Sequence, residues 1–375
     1  MEQQNTETIT DLQYLYASTE HYLLETNHSL PFRMGQQSTE TITDLSYLDI
    51  STQHNLLPTK HFGMASFLVV ANAFIITLGI AGNSLVLVAL VTAKRLQTIP
   101  NAFIANLAVT DLLFCITLPG TIVAIVGSYN PSFHKMCFAL LFVGHTTIGC
   151  STFTLASIAF NRLVLILSPR KYYQIIFKKR VVVVWLALLW IYSMMIAGFP
   201  PVALGIGKLQ FDQEVNYCRS PPTYHTSNMY DNILIYGFFP VPLTVIVISY
   251  GGIFIRIYQH NQKMTKHTRQ SRVSVSDCHS FDTQEHSSNS RDGETYNRQI
   301  RITTNMFITF CAFVVCSAPI AICNLAYEEC PIDTFVRLLA TFNSAINPII
   351  YGVFHPQFRR VYFKIFHCDT INTIT

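Results

Sequence analysis

Residues 64–92 read MASFLVVANAFIITLGIAGNSLVLVALVT, a run without a single Asp, Glu, Lys or Arg. A helix needs about 20 mostly apolar residues to cross the hydrocarbon of a bilayer, and this stretch is long enough. Six more of the same kind follow, at approximately 100–126, 135–167, 180–204, 231–258, 302–326 and 334–354. The last is the least apolar, carrying Arg337 and the polar run Asn343-Ser344-Ala345-Ile346-Asn347-Pro348. Backbone groups in lipid must find partners inside their own segment, so each stretch is expected to be a helix. The alternating pattern of a membrane β-barrel is absent from the sequence. The expected fold class is therefore an all-α membrane protein with seven spans.

The composition agrees. Of 375 residues half are hydrophobic and only 12% are charged, where an average globular chain has about 25%. Mean hydropathy is +0.33. These values exclude a nucleic-acid-binding protein, a disordered scaffold and an ordinary cytosolic enzyme. The ten cysteines form no CxxC pair and no Cys/His spacing that suits zinc. Lys and Arg accumulate on the cytoplasmic side of membrane proteins. Placing the N-terminus outside puts 19 of the 25 basic residues inside, including Lys94, Arg95, Lys178, Lys179, Arg180, Arg359, Arg360 and Lys364. The chain is thus read as a multi-pass plasma-membrane protein with an extracellular N-terminus.

Residues 1–62 hold eight acids and two basic residues and show no periodic apolar face, so they read as a disordered acidic extracellular tail. Residues 1–24 and 34–57 match at 17 of 24 positions, a tandem duplication in which Met34 aligns with Met1 and leaves an alternative start open. Asn27-His28-Ser29 is a glycosylation sequon on the outer side. Tyr14 and Tyr47 follow acids and are candidates for sulfation. Residues 63–355 form the membrane domain, and residues 356–375 an amphipathic helix and short cytoplasmic tail.

Ionisable groups deep in a span are costly and are functional candidates by default. Asp111 is the one acid well inside the apolar stretches. Asn83, Ser151, Asn343, Ser344 and Asn347 are polar residues of other spans able to converge on it, and such oxygens around a carboxylate suit a small hard cation or a transferable proton. The bland alternative is a carboxylate held by neighbouring hydroxyls and amides. Pro119, Pro200 with Pro201, Pro242, Pro319 and Pro348 mark most of the later spans as kinked.

The ordered set of motifs resembles a rhodopsin-like (class A) G-protein-coupled receptor over roughly residues 64–367. It comprises Gly82-Asn83-Ser84-Leu85-Val86, Leu107-Ala108-Val109-Thr110-Asp111, Cys137, Asn161-Arg162-Leu163 with Pro169, Trp190, Pro242 with Tyr250, Phe313 with Cys316 and Pro319, and Asn347-Pro348-Ile349-Ile350-Tyr351. That resemblance implies a seven-helix bundle with a short amphipathic eighth helix on the inner leaflet. It implies a disulfide between Cys137 and Cys218. It implies a sodium pocket of Asp111, Ser151, Asn343, Ser344 and Asn347, sodium being an allosteric ion and no cofactor being required. Asn161, Arg162, Tyr250, Phe313, Pro319, Pro348 and Tyr351 become the activation switch, and Cys368 a palmitoylation site. The implied partners are an extracellular peptide or small-molecule ligand, a heterotrimeric G protein, arrestin, a receptor kinase and membrane lipid. Nucleic acid is not among them.

Several positions depart from the family pattern. Asn161-Arg162-Leu163 replaces the usual Asp-Arg-Tyr, and no acid stands near the inner end of span six, where Gln299, Ile300 and Arg301 lie. Weak charge pairing in the resting state, and hence appreciable basal signalling, is expected. Ser317 follows Cys316 where most relatives carry an aromatic, leaving either a deeper cavity floor or a space filled by a nearby Phe. Gly144 stands where amine receptors present a carboxylate, which argues against monoamines, and Thr341 stands where opsins carry the retinal lysine, which excludes a photoreceptor. Asn324, Arg337 and Thr341 complete the ligand-pocket candidates. Arg337 is able to take a ligand carboxylate, or to pair with Glu328, Glu329 or Asp333, the last one helical turn away. Thr117-Leu118-Pro119 is similar to a kink of chemokine and other peptide receptors, whereas Asn161-Arg162 is similar to melatonin receptors and related orphans. From another class, a transporter or channel is also multispanning, but no inverted repeat of hydropathy is visible. No Ser/His/Asp or metal-ligand set at a common depth points to an enzyme.

Overall fold

The computed structural model describes residues 59–126, 131–207, 209–212, 217–220, 227–274, 285–326 and 332–366. The duplicated tail with Tyr14, Asn27, Met34 and Tyr47, the acids Glu328 and Glu329, and Cys368 lie outside the described residues.

The chain folds into helices because each apolar stretch satisfies its own backbone. In order they are α1 (Thr59–Thr92), α2 (Ile99–Val126), α3 (Pro131–Leu167), α4 (Arg170–Ile176), α5 (Lys179–Ala203), α6 (Ser227–Phe238), α7 (Pro240–Ser274), α8 (Glu285–Ala326), α9 (Asp333–Phe354) and α10 (Pro356–Phe366). Strands β1 (Gln210–Asp212) and β2 (Tyr217–Arg219) form an antiparallel pair between α5 and α6. Among the described residues six helical stretches are long and apolar enough to cross a membrane: 63–92, 99–126, 136–167, 179–203, 228–262 and 299–326. They agree with the first six expected spans to within about four residues at each end. The seventh, α9, is less apolar because it carries Asp333, Arg337 and an Asn/Ser run whose Asn343, Ser344 and Asn347 are buried, and it packs against α8 and α2.

α6 and α7 are one span interrupted at Phe239-Pro240. The amide of Phe239 still donates to the Ile235 carbonyl at 3.1 Å, and that of Leu243 to the Phe239 carbonyl at 2.9 Å, so the path continues through the break. The irregularity falls at Pro240, two residues before Pro242, because the ring of Pro240 already removes an N–H from the ladder.

α3 is the central post. Of its apolar window 67% is buried, against 22–39% for the other five. It touches α2, α5, α7, α8 and both strands. The remaining helices turn Val70, Phe74, Val91, Val183, Leu188, Val247, Ile248 and Ile322 outward, all exposed. In water so many exposed large apolar side chains would be an anomaly. Around a bilayer-spanning bundle they are the lipid-facing surface.

Close approach between helices depends on small residues. A Cβ at Gly82 would meet the Pro348 ring at 2.8 Å, which is how α1 lies against α9. Gly149 similarly admits the ring of Phe238. Gly207, where the chain leaves α5 for the hairpin, has φ +77 and rests on Tyr230, so both backbone and space require glycine there.

Candidate functional site

Functional side chains lie at three depths. Midway through the bundle, Asp111 of α2 is 2% exposed. Asn347 Nδ2 of α9 donates to its Oδ2 at 2.8 Å, and Ser344 also hydrogen-bonds it. Asn83 of α1 donates from Nδ2 to the carbonyls of Ser344 (2.8 Å) and Gly79 (3.0 Å), which fixes α1 against α9. Ser151 of α3 does not point at the carboxylate. Its hydroxyl donates to Thr110 Oγ1 at 2.7 Å, and Thr110 donates in turn to the Leu107 carbonyl at 2.8 Å. The Oδ1 atoms of Asn83, Asn343 and Asn347 are buried without hydrogen-bond partners. Unpartnered buried oxygens are rare because each costs about 1–3 kcal/mol. A carboxylate with amide and hydroxyl oxygens is a donor set that fits a small hard cation.

Beside this centre, Trp190 Nε1 of α5 donates to Asn106 Oδ1 at 3.0 Å, and Asn106 Nδ2 donates to Thr154 Oγ1 at 2.8 Å. One amide thereby joins α2, α3 and α5.

At the inner end of α3, Arg162 is 4% exposed, and among the described residues no carboxylate pairs with it. Its Nε has no hydrogen-bond partner, and its electrostatic neighbours are the phenols of Tyr250 and Tyr173. Asn161 Nδ2 donates to Tyr173 Oη at 3.2 Å, so the residue in place of the usual acid ties α3 to the short α4 instead. Tyr250 packs edge-on against Phe307 (4.9 Å) and stacks with Phe310 (6.2 Å). Phe313 stacks on Phe239 at 6.4 Å, above the buried set of Leu107, Leu155, Ile246 and Ile253. Pro319 lies inside α8 and Pro348 inside α9. Tyr351 is 1% exposed, and its ring packs on Phe358 at 5.6 Å. Asn305 of α8 donates to the Phe354 carbonyl at the end of α9, a cross-helix tie that sequence reading missed.

α10 presents two faces. Phe358, Val361 and Tyr362 are buried against the bundle, while Phe363, Arg359 and Arg360 are exposed. Phe358 closes the aromatic joint of Tyr351, His355 and Tyr362.

The outer layer is closed by the hairpin. A disulfide joins Cys137 of α3 to Cys218 of β2, with Cα atoms 5.4 Å apart. Gly144 is buried, and a Cβ there would come no nearer than 3.9 Å to Phe114. Ser317 is 9% exposed and Asn324 half-buried. The Thr341 hydroxyl is engaged by its own helix, donating to the Arg337 carbonyl at 2.8 Å. Arg337 Nε donates to Asp333 Oδ2 at 2.6 Å, so of its two expected roles the helical ion pair is formed.

Sequence reading missed the neighbours of Arg337. His145, one residue after Gly144, meets Tyr230 Oη at 3.2 Å through Nδ1. Tyr230 Oη donates to the Ala197 carbonyl at 3.0 Å. A phenol has one proton to give, so Nδ1–H must be the donor to it. Asp231 follows Tyr230, and its electrostatic neighbours are Arg337, Arg219 and Asp333. No motif marks His145 and Tyr230, because they meet only through the packing of α3 and α6.

Comparison with known proteins agrees with this geometry. The chain is 26% identical to the "G-protein coupled receptor moody" of Drosophila melanogaster over 82% of this chain and 52% of that one, so it spans about half the length of that relative. It is 28% identical to the "Melatonin receptor type 1C" of Xenopus laevis, covering 81% of this chain and 68% of that one. Squid rhodopsin superposes with a TM-score of 0.67 at 20% identity, covering 83% of this chain and 90% of that one, and so shares the fold. Residues 82–351 match the model of the 7 transmembrane receptor (rhodopsin family), and the chain belongs to that family, one of multi-pass membrane receptors and not of enzymes.

Proposed function

We propose that this chain transduces an extracellular ligand to a heterotrimeric G protein at the plasma membrane, with its N-terminus outside. The observation that carries this reading is the state of Arg162. A guanidinium lies buried at the inner end of the central helix, among phenols and, among the described residues, paired with no carboxylate. Such an arrangement is held weakly and is free to reorganise when a partner approaches from the cytoplasmic side. Ligand and G protein then stabilise the same bundle conformation, which is what couples them. Arrestin and a receptor kinase are proposed to act on the same inner face, and Arg359 and Arg360 of α10 to meet the anionic inner leaflet.

The ligand is neither a monoamine nor retinal on this reading, since Gly144 offers no carboxylate and Thr341 no amine. A peptide and a small molecule both remain candidates. Sodium, the ion implied for the middle layer, would be held by Asp111 with Ser344, Asn347 and the unpartnered amide oxygens of Asn83 and Asn343. It would supply positive charge that steadies the resting bundle. Purified full-length receptor in nanodiscs, screened against a ligand library with nucleotide exchange on each G-protein family as readout, is expected to accelerate exchange on at least one. Failure on every family under any ligand would return the transporter or channel reading to first place.

A further inference from the structure

Among the six apolar windows, that of α5 is covered least by the bundle: 22% of it is buried, against 33–67% for the others. Val181, Val184 and Leu188 stand exposed on it, and with Trp185 and Leu189 they line a groove of about 350 Å³. These five positions follow the i, i+3, i+4, i+7, i+8 spacing of one helix face. The back of the groove is stiff. The Trp185 ring stacks on Phe177 at 6.1 Å, packs on Phe160 at 5.9 Å and meets Phe103 edge-on at 6.3 Å, and Phe103 and Phe177 are fully buried. From Val181 to Leu189 the groove runs about 12 Å at 1.5 Å per residue. One leaflet contributes about 15 Å of hydrocarbon, so the groove is nearly as deep as a single leaflet. Spread along that length, its volume amounts to a cross-section of roughly 30 Å², far less than that of a helix about 10 Å across. It suits an extended acyl chain, not a second helix.

One end of the groove is basic. Lys178, Lys179 and Arg180 are all exposed there, and among the described residues none of the three forms an ion pair. No acid occurs in the sequence between Asp111 and Asp212. Arg180 lies one turn before Val184, and Lys178 three residues before Val181, so both stand at the foot of the grooved face. Side chains on a helix lean toward its N-terminus, which for α5 is the basic end, so these long stems reach out of the hydrocarbon toward the headgroups. An apolar groove of one leaflet's depth with a cationic mouth is complementary to an amphiphile of opposite charge. We propose that α5 retains an anionic phospholipid of the inner leaflet, its phosphate taken by Lys178 and Arg180 and one acyl chain laid along Val181, Val184, Trp185, Leu188 and Leu189. Diffuse attraction of a polybasic segment to an anionic surface needs no groove. A retained lipid does, because its chain must be held by contacts with a fixed wall. This inference rests on the membrane-spanning fold and on neither a ligand nor a G protein.

The test uses the chain's own fluorescence, since its two tryptophans, Trp185 and Trp190, both lie on α5. Full-length receptor is placed in phosphatidylcholine nanodiscs containing a small, fixed fraction of phosphatidylserine with brominated acyl chains, whose bromines quench only at short range. Quenching is expected to exceed severalfold that given by the same fraction of brominated phosphatidylcholine. Trp185→Phe should remove most of it, which places the bromines at the groove and not at Trp190. Lys178→Gln with Arg180→Gln should weaken the preference about tenfold or more, at roughly fivefold per basic residue. Val184→Phe fills the groove at an exposed position, leaves every charge in place, and should weaken it too. The proposal is overturned if phosphatidylserine quenches no more than phosphatidylcholine, or if the doubly neutralised variant keeps the preference. It is also overturned if Val184→Phe changes nothing, since surface attraction alone then accounts for the binding. Relief of quenching by unlabelled cholesterol and not by unlabelled phosphatidylserine would make the groove a sterol site and equally overturn it. Both leaflets of the disc carry the lipid, so the result does not depend on the orientation of the chain. A chain that drives no nucleotide exchange still shows the lipid preference if the groove is occupied. One that drives exchange without the preference keeps the receptor reading and loses the lipid site.

Discussion

Asn161 shows how one side chain changes the character of a switch. An aspartate there would place a carboxylate beside Arg162, whereas the amide donates to Tyr173 at 3.2 Å and leaves the guanidinium without an acid. Asn161→Asp is therefore expected to lower ligand-free nucleotide exchange by about tenfold or more, the scale of a hydrogen bond between charged groups. The measurement is basal exchange at equal surface expression, and an unchanged rate would show that Arg162 is not restrained by its neighbour. The sequence exposed this substitution directly, because a motif with one altered letter is visible without coordinates. It did not expose Tyr173 as the new partner, since that contact depends on where α4 comes to rest.

Between elements, the tie from Asn305 to the Phe354 carbonyl is the closest thing to a latch at the inner end of α8. It is neutral, buried and formed between the sixth and seventh spans. A change of bundle conformation that parts the inner ends of the sixth and seventh spans has to break this bond. Losing a hydrogen bond worth about 1 kcal/mol shifts a two-state equilibrium by roughly fivefold. Asn305→Ala should raise basal exchange by about that factor, and Asn305→Gln should not restore the parent rate, because the longer side chain cannot reach the same carbonyl from the same turn. Spin labels at the inner ends of α3 and α8 would register the same shift as a larger outward population. A basal rate and distance distribution identical to the parent's would remove Asn305 from the switch.

For the whole molecule, the acidic tail and the cavity make separable contributions. Deleting residues 1–57 removes both copies of the duplicated segment. The potency of a peptide agonist should fall on deletion, while a small molecule lodged under the hairpin should act with unchanged potency. Dose–response curves on full-length and truncated receptor, matched for surface expression, decide between them. The spans were legible in advance because lipid leaves a helix no choice about its backbone. The seventh was the least distinct because it carries Asn343, Ser344 and Asn347, which the structure buries inside the bundle. In the middle layer the sequence marks the polar residues and not their bonding: Asn347 donates to Asp111, whereas Ser151 turns to Thr110.

What the sequence determined by itself is the spans and the family, since these follow from local composition and from motifs read in order. What only the tertiary structure decided is which polar groups find one another. Arg337 took Asp333 from one turn away, a choice open on spacing alone. His145 of α3 found the Tyr230 phenol of α6, a pairing that nothing in the linear sequence marks. Hydrophobic length is written along the chain, whereas electrostatic partnership is a property of distances in space.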